Sequence, residues 1–98
     1  MKYTMKVVIV DPETPEGMNS ELRFNLTCVF AKEDEPYYGN GYYLGIEGQG
    51  FYGQCYDLRY DNDFNSKKMP QYLVDWAYNY WSGKDGAYKV KSIQIEEA

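Results

Sequence analysis

Two stretches near the N-terminus alternate apolar and polar side chains so regularly that only a pleated strand can bury one kind and wet the other. Tyr3, Met5, Val7 and Ile9 are interleaved with Lys2, Thr4 and Lys6. Leu22, Phe24, Leu26, Cys28 and Phe30 then stand against Glu21, Arg23, Asn25 and Thr27. A period of two puts each set on one side of an extended chain. The segment between them, DPETPEG from Asp11 to Gly17, is built of turn residues, so the two strands read as a hairpin.

Downstream the pattern changes twice. After the polar break KEDEP at 32–36, the stretch from Tyr37 to Tyr60 holds seven tyrosines and six glycines in twenty-four residues. It divides into a strand over Tyr42 to Glu47, a glycine turn at Gly48 to Gly50, and a strand over Phe51 to Tyr60. Unbroken alternation in the latter sets Tyr52, Tyr56, Leu58 and Tyr60 on one face and Cys55, Asp57, Arg59 and Asp61 on the other. Glycine inside a strand signals a bulge or close backbone approach, so one of these strands is expected to be bent or short.

From Met69 the spacing becomes helical. Met69, Leu73, Trp76, Ala77, Tyr80 and Trp81 form one stripe, and Gln71, Asp75 and Asn79 the wet side. Asn65 or Ser66 is a candidate cap, Pro70 suits the first turn, and Gly83 ends the helix. After a turn at 84–86, Tyr88 to Ile95 reads as a last strand. Val90 has the opposite parity to Ile93 and Ile95, which calls for a bulge near Ser92. The order is ββββαβ in a single domain over residues 1–98. The fold class is α+β, with a meander whose final strand returns beside the first: an antiparallel sheet of order 4-3-2-1-5 under one helix.

Charge and composition narrow the chemistry. Acids outnumber bases by fifteen to ten, with a three-charge excess in each of residues 1–36 and 37–65, while bases lead by one in 66–98. Phosphate binding needs clustered cations, and the one doublet is Lys67 and Lys68, so direct nucleic-acid binding is not expected. Histidine is absent, which removes the commonest general base and metal ligand. Cys28 and Cys55 are isolated and read as reduced, although strands placed side by side would let them pair. No apolar run reaches membrane-spanning length, and the chain reads as cytoplasmic.

Candidate sites follow from the same residues. Asp61, Asp63 and Asn65 imitate the start of a calcium loop, but Ser66 replaces the required glycine and Tyr72 the closing glutamate, so neither metal nor cofactor is expected. Glu47 and Asp57 are the carboxylate pair to consider for glycoside hydrolysis or sugar binding. The G-x-G patterns lack the helix and lysine of a phosphate loop. Of the tyrosines, Tyr3, Tyr80 and Tyr88 are expected in the core. Tyr37, Tyr38, Tyr42, Tyr43, Tyr52, Tyr56 and Tyr60 exceed what one sheet face buries, and tyrosine is favoured at protein interfaces.

The expectation is a small acidic non-catalytic interaction module rather than an enzyme. A tyrosine-rich sheet face of Tyr42, Tyr43, Tyr52, Tyr56 and Tyr60, with Asp57, Asp61, Asp63 and Glu35, would bind a protein partner. A basic nucleic-acid-binding protein suits the charge, and a second copy of the chain is a further candidate. The alternative is an acidic mimic of nucleic acid that inhibits such a protein, in the style of phage and mobile-element anti-defence proteins. A small carbohydrate-binding or hydrolytic domain is the weaker reading.

Overall fold

The computed structural model describes residues 1–15, 21–33, 39–83 and 87–98. Strands β1 (Lys2–Val10) and β2 (Glu21–Lys32) pair antiparallel, with Tyr3 opposite Cys28 and Met5 opposite Leu26. β3 (Tyr42–Gly48) joins the other side of β2, and β4 (Phe51–Asp57) lies outside β3. After helix α1 (Met69–Ser82), β5 (Lys89–Glu97) returns beside β1. The sheet order is therefore β4-β3-β2-β1-β5, as the hydrophobic pattern requires.

The buried face collects one parity from each strand. Met5, Val7, Ile9, Leu26, Cys28, Leu44 and Ile46 are almost wholly removed from water. α1 lays Met69, Leu73, Ala77 and Trp81 over them, the stripe its spacing predicts. Large rings complete the layer. Phe51, Trp76, Tyr80 and Trp81 meet one another with centroids 5.0 to 5.9 Å apart. At the other end Phe64 stacks on Phe30 at 5.5 Å and meets Tyr42 and Tyr72 edgewise or tilted. Among the described residues no helix covers the opposite sheet face, which carries Thr4, Lys6, Arg23, Asn25, Thr27 and Glu47, none of them buried.

Both irregularities expected of the strands are present. Val8 pairs with Ser92 and Ile9 with Val90, so Lys91 is the extra residue that lets Val90, Ile93 and Ile95 all turn inward. In β4, Gly48 stands opposite Phe51 and Ile46 opposite Gln54, so three residues of β4 match two of β3. Gly53 provides the change with φ +71. This bulge corrects the expected face assignment. Phe51 and Tyr56 both point toward the helix, whereas Tyr52 is 92% exposed. The strand also stops at Asp57 rather than Tyr60, because the Asp57 carboxylate accepts the Arg59 backbone N–H and Asp61 N–H bonds to the Leu58 carbonyl, turning the chain.

Two further expectations are corrected. Tyr80 and Tyr88 are 49% and 38% exposed, so of the three supposed core tyrosines Tyr3 alone is buried. Neither Asn65 nor Ser66 caps α1. Lys68 holds the cap position without a side-chain bond, and Asn65 accepts the Lys67 N–H in the preceding turn. Cys28 and Cys55 are free thiols, as the sequence reading has them: β3 separates their strands and they lie on opposite faces. Tyr37, Tyr38 and the turn at 84–86 lie outside the described residues.

Two outcomes test this description. Gly53→Ala, strained at positive φ but in open space, should cost about 1 kcal/mol in chemical denaturation, and Gly39→Ala clearly more, since a Cβ there would fall 1.7 Å from the Arg59 carbonyl oxygen. Burial pushes the Cys28 thiol up to about 12 while Cys55 is exposed, so a thiol reagent should label Cys55 alone in the native protein and both residues in denaturant.

Candidate functional site: an aromatic and acidic groove

The residues singled out by sequence fall into separate places. One group gathers at the end of β3 and β4 around Arg59. Its guanidinium forms a two-pronged pair with Asp57 at 2.8 and 3.1 Å, reaches Glu33 at 3.8 Å, and lies 5.3 Å from the Tyr43 ring centroid and 6.0 Å from that of Tyr60. Tyr43 also donates its hydroxyl to Glu33 at 3.2 Å. The bonds from Arg59 hold the Asp57 carboxyl below the usual range. Tyr43, Asp57 and Tyr60 are thus brought together, with a cation of the same chain already among them.

A second group faces the helix. Tyr42 packs on Phe64, and Tyr56 meets Trp76 at 5.9 Å with its hydroxyl bonded to Gln54 at 2.8 Å. Tyr52 stands away from both groups at the β3–β4 turn. Glu35 lies outside the described residues.

The third place is a groove. The β4–α1 connection is anchored by the buried side chains of Leu58 and Phe64, and the turns between them carry Asp61 and Asp63 past the flank of α1. On that flank Tyr72, Asp75, Trp76 and Asn79 follow one another at helical spacing, with Tyr78 at the rim. Together these seven residues line a groove of about 730 Å³, and none of them is cationic. Asp61 is fixed from two sides, accepting the Tyr72 hydroxyl at 2.6 Å and the Asp63 backbone N–H at 2.9 Å. Burial first, and the bond to Asp61 second, push the Tyr72 phenol above its ordinary range, so it stays a donor. Asp75 accepts a bond from Gln71. Tyr80 stacks on Trp76 at 5.1 Å and 20°, extending the aromatic wall outward.

Sequence reasoning found Asp61 and Asp63 but assigned Trp76 to the core and Asp75 and Asn79 to a featureless wet side. The i, i+3, i+4, i+7 run of Tyr72, Asp75, Trp76 and Asn79 was the available signal, a mixed stripe beside the apolar one. The carboxylate pair considered for hydrolysis is not assembled. Asp57 stands opposite Tyr43, four positions along β3 from Glu47, roughly 13 Å at strand rise and beyond either glycosidase spacing. Among the described residues no three acids or thiols converge as a metal cluster, and no helix is long and apolar enough to cross a membrane.

No protein-family model matches the chain, and no curated protein or solved structure matches it either.

The Arg59 cluster yields a pH prediction. Because Asp57 has a depressed pKa, its contribution to stability is complete above the ordinary aspartate value of about 4 and is lost as acid protonates it. Arg59→Met should lower the melting temperature at neutral pH, and the gap to wild type should narrow as the pH is taken toward 2.

Proposed function

We propose that this chain is a non-catalytic interaction module that binds a basic protein segment in the groove between α1 and the β4–α1 connection. The observation that carries the reading is the groove lining: three aromatic side chains and three carboxylates with no cation among them. Aromatic rings supply contact area at low entropic cost and attract a cation over their faces. The carboxylates add electrostatic steering toward a lysine- or arginine-bearing partner. By contrast the Arg59 cluster already contains its own counterion, and the sheet-face surface expected from the tyrosines is divided by the Gly53 bulge. The docking surface therefore moves from the sheet to the helix flank, keeping Asp61 and Asp63 and adding Tyr72, Asp75, Trp76 and Tyr78.

The nucleic-acid mimic is a second reading, favoured by the same unneutralised acids together with the overall charge of −5. The two readings differ in what dominates. In the first, Tyr78→Ala should weaken partner capture about tenfold, as expected when an interface ring is lost, with little change in melting temperature, and Tyr52→Ala should leave capture intact. In the second, affinity should collapse with rising ionic strength, and Asp63→Lys should matter more than loss of any ring. Quantitative capture assays with these three variants, at low and high salt, decide between them. Equal capture by all variants would dispose of the groove.

A further inference from the structure

The side chains that line the groove are of two kinds, those already engaged within the chain and those that are not. Tyr72 and Asp61 are bonded to each other, and Trp76 is packed among Tyr56, Tyr80, Phe51 and Trp81. These residues build the wall. Among the described residues the Asp63 carboxylate, by contrast, accepts no hydrogen bond, and Asp75 uses one oxygen toward Gln71 and keeps the other. The Asn79 amide is likewise unbonded, and Tyr78, 48% exposed, meets no other ring. A bound cation has to address this second set.

The Arg59 cluster at the end of β3 and β4 is built from the same ingredients with its cation in place. There the Nε and one terminal N–H group of the guanidinium donate to the two Asp57 oxygens at 3.1 and 2.8 Å, while the group reaches Glu33 at 3.8 Å and lies 5.3 Å from the Tyr43 ring centroid. Lys32 holds its ammonium 5.6 Å from the Tyr42 ring centroid and has no acid partner among the described residues. The difference has a physical cause. A guanidinium is flat, weakly hydrated and carries five N–H donors in a fork, so it clamps a carboxylate and faces a ring at once, whereas an ammonium is a compact, strongly hydrated point charge.

We infer that the basic segment is anchored in the groove by an arginine, not a lysine, with its fork on Asp63, its remaining N–H groups toward Asp75 and Asn79, and its plane against the aromatic wall. The inference rests on the groove being the docking site, as proposed above. It adds a preference between two cations of equal charge, which attraction by three acids alone does not supply. Asp61 contributes charge to that preference but not the fork, because both its oxygens already accept bonds from Tyr72 and the Asp63 backbone.

Two peptides of equal length and charge, hexa-arginine and hexa-lysine, test the preference by calorimetric titration at physiological ionic strength. Hexa-arginine should bind the wild-type chain at least about tenfold more tightly than hexa-lysine. Asp63→Asn should bring the ratio of the two affinities to within about twofold, whereas Glu47→Gln, which removes the same charge from the opposite sheet face, should leave the ratio unchanged. Melting curves accompany the titrations. If Asp63→Asn proves unstable, Asp75→Asn decides in its place. Equal affinity for the two peptides, both weakened by Asp63→Asn, would overturn the inference while leaving the groove as the docking site. Binding of neither peptide would remove both. An arginine preference untouched by Asp63→Asn and Asp75→Asn would put the contact elsewhere on the surface and overturn the assignment.

Discussion

One helix must cover five strands, and that shortage of cover shapes the molecule. Five strands at the usual spacing span roughly 20 Å between the outer axes, while a helix with its side chains is about 10–12 Å across. α1 sits over β5 and β1, leaving the inner side of β3 and β4 to be closed by side chains alone. Only large rings reach that far. Trp76 and Trp81 extend from the helix to Phe51 and Tyr56, and Phe64, set in the β4–α1 connection, fills the other end against Phe30 and Tyr42. The aromatic richness of the chain is thus partly architectural.

The same shortage creates the groove. Where rings rather than backbone bridge a gap, the closure is uneven, and the helix flank beside Tyr72 and Trp76 is left concave. The turns that place Phe64 in the core carry Asp61 and Asp63 to the rim of that concavity. Structure and candidate site therefore share one connection, in which Leu58 and Phe64 hold the chain down while the acids between and beside them face solvent. The Arg59 cluster differs in kind, because its carboxylates are matched from within.

The fold was legible because its elements are governed by local periodicity. Alternation defined β1 and β2, the stripe from Met69 to Trp81 defined α1, and the parity conflict in β5 foretold a bulge that occurs one residue from the expected position. The site was less legible, for a reason also local. A single extra residue at Gly53 reverses which β4 side chains face the helix, and no periodicity reveals on which side of a glycine the phase will slip. Tyr80 was misplaced because helical spacing gives direction but not depth. It lies on the buried side of the stripe, yet packs at the outer margin of the Trp76 and Phe51 rings. The bond from Tyr72 to Asp61 joins a helix to a turn eleven residues earlier, a tertiary fact with no signature in either segment.

Both indoles of the chain sit within the ring network, with centroids 5.8 Å apart and planes at 83°, and Trp76 is shared between the core and the groove wall. Their electronic transitions are coupled to each other and to Tyr80 and Phe51, so the chain carries its own optical gauge of how tightly sheet and helix are closed. Emission and near-ultraviolet ellipticity would register occupancy of the helix flank through a chromophore that needs no label.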